Sequence, residues 1–137
     1  MAGTITGVLT RIQTPQDRPK LVVIRLTCTA DAAAHTYPAT IINDLVDFDI
    51  RGLRIYSIAT IPGTTGPTDD TDLTITDEDD LDILAGVGAD LVDNAVKHRT
   101  VIGLTSSVLI TGDITINLTN NAVDGAVTTI VLEMVGL

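Results

Sequence analysis

GLRIYSIATIPGTTGPTDDTDLTITDEDDLDIL, residues 52–84, is the stretch of sequence that decides the class of fold. Its first part is rich in isoleucine, residues 62–67 contain two prolines and two glycines, and apolar residues alternate with threonines over residues 73–76. A period of two with β-branched residues is typical of strands, and a Pro/Gly run is typical of a loop. The stretch therefore predicts two strands in a hairpin-like arrangement, followed by the acidic run 77–80.

Composition supports the same class for the whole chain. The 137 residues are 45% hydrophobic, yet they include no tryptophan, one phenylalanine and two tyrosines. A chain of this length suits one domain, and a core of Val, Ile and Leu beside abundant Thr favours pleated sheets. We expect a single all-β domain over residues 1–137, an antiparallel β-sandwich or small β-barrel of jelly-roll or immunoglobulin-like type. Seven or eight strands and one or two short helical turns are expected.

The first half of the chain predicts short strands separated by turns. We expect strands over residues 4–12, 20–29, 36–44 and 46–50, a turn over residues 13–19 and a loop over the alanine-rich residues 30–35.

Helical turns and a hairpin are expected in the second half. Residues 81–85 predict one helical turn, with Asp80 as its N-cap and Gly86 closing it. Residues 88–97 fit either a short helix or a loop lying across the sheet. From Val108 to Leu118 the buried positions are predicted to be even-numbered, with a bend at Gly112. Residues 120–125 then turn the chain, and a strand over residues 127–135 would close a hairpin.

Charge is distributed unevenly along the chain. The net charge is −10; residues 1–68 hold six Lys/Arg and five acids, whereas residues 69–137 hold two and thirteen. An acidic half without a compensating basic stripe disfavours nucleic-acid binding. No apolar run approaches the ~20 residues of a membrane span. The first ten residues lack the features of a secretory signal, so we expect synthesis in a cytoplasm.

The acidic segment 69–93 invites a test as a calcium site, because it holds ten carboxylates and no Lys or Arg. An EF-hand loop counted from Asp77 fails at its fifth position, Leu81, and at its sixth, Asp82, where glycine is needed. A calcium site of another kind, built from Asp77, Asp79, Asp80 and Asp82, stays open beside the interpretation as a solvated acidic turn.

Other chemistries find little support in the residue pattern. His35 and His98 lack zinc-ligand spacing, and the serines lack a nucleophile elbow. Cys28, the only cysteine, is predicted to be a small buried core residue. Residues 86–89 are read as a tight turn, since a phosphate loop would need a following lysine. We therefore expect no catalytic residues and no cofactor. Arg11, Arg25, Arg51 and Arg54 are candidates for a contact surface, although ordinary solvent exposure explains each of them equally.

The opening stretch resembles a segment of small virion proteins that tailed phages encode among their head and tail genes. The shared pattern runs through residues 52–56, Pro62-Gly63, Pro67-Thr68 and residues 72–79 and 82–88, and residues 110–134 are similar to the closing part of such proteins. At position 80 this chain has aspartate where the family pattern has glycine.

This resemblance implies a structural role in a virion. Capsid decoration, as a cement protein that binds neighbouring major capsid subunits, is the first expectation, and a head-to-tail or tail component is the second. The resemblance also implies a homo-oligomer, with a trimer favoured. The acidic charge and the short apolar runs separately predict no nucleic-acid or membrane partner. A β-sandwich module that binds protein or carbohydrate is the alternative outside this class.

Overall fold

The computed structural model describes residues 2–13 and 20–136, without the side chains of residues 11, 13 and 20. These ranges contain the eight strands β1 Thr4–Gln13, β2 Lys20–Thr29, β3 Thr40–Ile41, β4 Leu53–Pro62, β5 Asp72–Thr76, β6 His98–Val101, β7 Thr115–Thr119 and β8 Val127–Gly136. Two single helical turns accompany them, a 3-10 helix over Ile42–Leu45 and α1 over Gly103–Ser106. Most of the turn predicted over residues 13–19 lies outside the described residues.

The strands form two antiparallel sheets. The five-stranded sheet has the order β1-β2-β8-β4-β6 and the three-stranded sheet the order β3-β7-β5. The predicted all-β sandwich is therefore confirmed. None of the helices that the structure describes is long and apolar enough to cross a membrane.

The core lies between the two sheets. Aliphatic residues at alternate positions of the long strands are fully buried against those of the smaller sheet, among them Val22, Ile24, Leu26, Ile58, Leu132, Leu73, Ile75 and Ile116. Burying one such side chain stabilises the fold by about 1.5–3 kcal/mol. Cys28 belongs to this cluster, as predicted.

Both predicted hairpins are wrong, because their strands lie in different sheets. β4 pairs with β8 and β6, whereas β5 pairs with β7. β8 pairs with β2 and β4, whereas β7 pairs with β3 and β5. The connections 63–71 and 120–126 therefore cross between the layers. A period of two reveals that one face of a strand is buried, but it does not reveal which strand lies at its edge.

The strands predicted before β4 are also shorter than expected. Of residues 36–44 only Thr40–Ile41 form a strand, and the chain then enters the 3-10 helix. Residues 46–50 form bends instead of the predicted strand. The Asp49 carboxylate accepts hydrogen bonds from the backbone and side chain of Arg51, and such local bonding competes with a strand ladder.

The pattern from Val108 to Leu118 is interrupted by a crossing between the sheets. Ile110 exchanges backbone hydrogen bonds with the start of β4 in the five-stranded sheet. Ile114, in contrast, accepts a backbone hydrogen bond from Ile42 beside β3 in the three-stranded sheet. The bend predicted at Gly112 lies between these two positions and carries the chain from one sheet to the other. Consequently β7 begins only at Thr115, and Val108 is exposed instead of buried.

Candidate interaction surface

The acidic loop 77–92 is organised by its own carboxylates. Asp77 Oδ1 accepts hydrogen bonds from the backbone N–H groups of Asp79 at 2.9 Å and Leu81 at 3.0 Å. The Asp82 carboxylate accepts three, from Ile75 at 3.2 Å, Leu84 at 3.1 Å and Gly86 at 2.9 Å. Aspartate favours this kind of turn because its short side chain reaches nearby backbone donors.

Two predictions for this loop are corrected by these bonds. Residues 81–85 form no helical turn: Asp82 bridges to Thr76, residues 83–85 form hydrogen-bonded turns, and the capping carboxylate is that of Asp82, not Asp80. Asp80 itself has a φ of 60°, in the left-handed region. The helix considered for residues 88–97 is likewise absent; its alternative, a loop, is confirmed, and Val92 of this loop bridges to Thr71.

The four carboxylates of the calcium hypothesis do not come together as a set of ligands. Asp77 and Asp82 point at backbone donors, while Asp79 and Asp80 are exposed. Nowhere in residues 2–13 and 20–136 do three or more His, Cys, Asp or Glu side chains form a group that could hold a metal ion. Calcium binding by Asp77, Asp79, Asp80 and Asp82 stays a prediction.

Pairs of carboxyl groups lie beside the loop. Backbone N–H groups of Ala95 and Val96 lower the pKa of Asp93 to about 2, with a smaller contribution from a hydrogen bond with Asp69. Desolvation and the Asp93 charge raise the pKa of Asp69. The charge of Asp72 raises the pKa of Asp90 in the same way. Asp69 and Asp90 therefore hold their protons more tightly than an isolated aspartate does.

The remaining chemistry-bearing side chains are dispersed. His35 Nδ1 lies 3.3 Å from Asp124, and His98 Nε2 lies 3.4 Å from Asp93. Burial raises the pKa of the Cys28 thiol to about 12. A cleft of about 400 Å³ is lined by Asn43, Phe48, Asp49, Arg51, Glu78, Thr111, Gly112 and Asp113. Neither histidine and no cysteine lines this cleft.

The outer face of the five-stranded sheet, on the side away from the core, carries both apolar and basic side chains. We define it as the side chains that the strand register places opposite the core. Its apolar and charged members are Val8, Leu21, Val23, Arg25, Arg54, Ala59, Ile61, Arg99, Val101, Val127, Val131, Glu133 and Val135, and its polar members are Thr4, Thr6, Thr27, Thr29, Ser57 and Thr129. Residues paired across a sheet project to the same face. One row of this face runs across all five strands, from Val8 through Arg25, Val131 and Ala59 to Arg99.

On the outer face, charged side chains form hydrogen bonds and lie beside apolar ones. Arg99 and Ser57 both donate hydrogen bonds to Glu133 Oε1, and Arg54 donates to the Ser107 carbonyl oxygen at 2.9 Å. Val131 is only 6% exposed. Its cross-strand neighbour Arg25 can cover it with the methylene part of the side chain.

Two of the four predicted contact arginines, Arg25 and Arg54, thus share the outer face. Arg51 does not, because it lies in the turn before β4 and pairs with Asp49 at 2.9 Å. The side chain of Arg11 lies outside the described part of the structure. Arg99 and Glu133 were missed, because each is a lone charge in its own strand and only the pairing of β6, β4 and β8 brings them together.

These features define an antiparallel β-sandwich protein with an apolar-basic sheet face and an acidic loop. Comparisons with protein-family models, with curated proteins and with solved structures found no match.

Proposed function

We propose that this protein is a structural component of a tailed-phage virion, a capsid decoration protein that binds neighbouring major capsid subunits. The proposal begins with the sequence resemblance in residues 52–88 and 110–134. The observation on the structure that supports it best is the outer face, a sheet surface on which three arginines lie among valines, other apolar residues and threonines.

The outer face has the size that protein docking requires. Four strands of ten residues and one of four, spaced ~4.8 Å apart at ~3.3 Å per residue, span roughly 700 Å². A standard protein interface buries about 800 Å² on each partner. Arginine is enriched in such interfaces, and apolar side chains at their centre contribute most of the affinity.

Charge gives this docking a direction. The outer face carries three arginines and one glutamate, whereas ten carboxylates lie in residues 69–93. An acidic capsid surface would be attracted to the outer face and repelled by the acidic loop, so the protein would bind in one orientation. The protein would act without catalysis or a cofactor, would be made in the host cytoplasm, and would be a homo-oligomer, for which the resemblance implies a trimer.

Mass spectrometry of purified virus particles from the source of the gene tests this proposal. Copies in numbers similar to those of the major shell protein are expected for decoration. A handful of copies would assign the protein to the neck or tail instead, and complete absence from particles would overturn a virion role.

Variants test the docking surface itself. Arg25→Glu reverses one charge at the centre of the outer face and should abolish rebinding to stripped particles. Arg51→Glu is the matched control, because Arg51 lies off this face. Equal rebinding by both variants would show that the outer face does not dock.

A further inference from the structure

The exposed edges of the two sheets differ in how they are protected. β5 is covered along its free side by the acidic loop. Leu73 donates a hydrogen bond to the Gly88 carbonyl at 2.9 Å, Ile83 donates to Ile75 at 2.8 Å, and Thr71 and Val92 exchange two more. An edge covered in this way has few backbone groups left for another chain.

The edges at β3 and β6 are short. β3 has two residues and is followed at once by the 3-10 helix, and β6 has four residues, of which two are His98 and Arg99. Short length and charged side chains are the usual protection of an edge strand against pairing with another chain.

β1 is the least protected of these edges, because it is long and its one charged residue, Arg11, lies near its end. It is ten residues long, pairs only with β2 among the strands that the structure describes, and carries no charge from Thr4 to Thr10. Val8 on its outer side is 61% exposed, and Ile12, which pairs with the buried Val22 on the core side, is 48% exposed. A long edge that is uncharged over seven consecutive residues and has exposed apolar side chains is a template for strand addition.

A second copy of this chain meets the least repulsion at β1. Each copy carries a charge of −10, most of it in residues 69–93. This segment lies on the side of β5 and β6, since Asp93 contacts His98 of β6. The opposite side holds β1, next to Leu45 of the 3-10 helix, whose Cβ lies 3.0 Å from where a Cβ on Gly7 would be. Pairing at β1 therefore keeps the two acidic loops at the far ends of the assembly.

We propose that two copies of this protein associate by antiparallel pairing of β1 with β1, which joins their five-stranded sheets into one sheet of ten strands. The two β1 strands are equal in length, and a two-fold axis between them makes them antiparallel. The backbone N–H and C=O groups of both edges can therefore form hydrogen bonds with each other. The irregularity between Leu9 and Arg11 twists the end of β1 and restricts how far the two strands can slide past one another. This two-fold contact gives a dimer in place of the trimer that the sequence resemblance implies, and it does not depend on the virion role.

Light scattering after size exclusion tests the association over a range of concentrations. The wild-type mass should approach twice 14.4 kDa as concentration rises. Added salt should strengthen the association, because screening weakens the repulsion between two acidic chains. A single-chain mass at every concentration would overturn the proposal, and so would a three-chain mass.

A charged residue on β1 should separate the copies. Val8→Lys places a lysine on the edge, and the dissociation constant should rise at least about tenfold. Val101→Lys is the matched control, since Val101 is 60% exposed on the opposite edge; it should leave the dissociation constant unchanged. Thr6→Lys gives a second variant on β1 if the first fails to fold. Dissociation by Val101→Lys but not by the β1 variants would refute the proposal.

Cross-linking locates the contact. Single cysteines introduced at Thr4, Thr6, Val8 and Thr10 should include one that forms an intermolecular disulfide under mild oxidation, while Val101→Cys should form none. The native Cys28 should not interfere because it is fully buried. Failure of all four β1 cysteines to cross-link a two-chain species would place its interface elsewhere and reject β1 pairing.

Discussion

Gly88 and Leu73 are in direct backbone contact where the acidic loop covers β5. Leu73 N donates a hydrogen bond to Gly88 O at 2.9 Å, and a Cβ on Gly88 would lie 1.9 Å from the Leu73 carbonyl oxygen. Any residue other than glycine would therefore push the loop away from the strand, and the cover over the β5 edge would be lost.

Gly88→Ala should consequently lower the free energy of unfolding by about 3 kcal/mol, at the upper end of the cost of overpacking. Gly86→Ala is the control: a Cβ there meets open space, and only its φ of 83° is unfavourable, at a cost of about 1 kcal/mol. Urea denaturation of both variants measures the difference. Equal losses would show that the contact with Leu73 is not tight.

Asp82→Ala removes the acceptor of three backbone N–H groups, those of Ile75, Leu84 and Gly86. We expect a loss of about 2 kcal/mol, since bonds to a charged acceptor are worth about 1.5–3 kcal/mol. Asp79→Ala, at an exposed position of the same loop, should change stability by less than about 0.5 kcal/mol. Hydrogen exchange should report faster exchange at Leu84 and Gly86 in the first variant only; protection unchanged there would contradict the capping role.

Asp80→Gly should stabilise the protein. Asp80 has a φ of 60°, which glycine adopts without steric cost, and its N–H donates to Asp77 O at 3.1 Å in either case. The left-handed conformation costs a residue with a side chain roughly 1 kcal/mol, offset in part by the greater freedom of glycine in the unfolded chain. A rise in melting temperature is expected. Asp79→Gly serves as the comparison and should lower it; a fall in both would mean that φ at position 80 is not strained.

The pH dependence of stability should show that the ionised carboxylate of Asp93 stabilises the fold. Its pKa in the folded protein is lowered from 3.8 to about 2, so its ionised form stabilises the fold above pH 3.8 and this contribution is lost as the pH falls towards 2. Asp93→Asn should therefore lower the melting temperature at pH 7 and have little effect at pH 2.

The contribution of Asp90 to stability should depend on pH in the opposite direction to that of Asp93. Its pKa is raised, chiefly by the charge of Asp72, so its contribution to stability is present below pH 3.8 and is lost as the pH rises through its folded pKa. Asp90→Asn should raise the melting temperature at pH 7 and not at pH 2. Parallel pH profiles for the Asp90 and Asp93 variants would be inconsistent with these environments.

Thr60 and Thr128 are both fully buried between the sheets and differ in one hydrogen bond. Thr128 Oγ1 donates to the Ile61 carbonyl at 3.3 Å, whereas Thr60 Oγ1 has no partner within the described part of the chain. An unsatisfied buried hydroxyl costs about 1–3 kcal/mol. Thr60→Val should therefore increase the free energy of unfolding by about 1 kcal/mol, and Thr128→Val should increase it less or reduce it. Thermal denaturation decides; destabilisation by Thr60→Val alone would imply a partner for its hydroxyl.

The sequence by itself determined which residues are buried in most strands. The alternation in β2, β5 and β8 predicts their core faces, and Cys28 follows from its place in that pattern. The bend at Gly112 and the loop over residues 30–35 were also predicted, because glycine bends a chain locally and six residues are too few for a stable helix. Burial patterns, bends and short loops depend on adjacent residues, so the sequence predicts them.

Only the tertiary structure decided which strands are neighbours. The alternation of β7 and β8 is the same whether they form a hairpin or, as observed, lie in opposite sheets. For the same reason the outer face could not be predicted: Arg25, Arg99 and Glu133 are far apart in sequence and share one face only because β8 lies between β2 and β4 and β6 pairs with β4. Strand pairing depends on contacts between distant segments, and no local pattern records it.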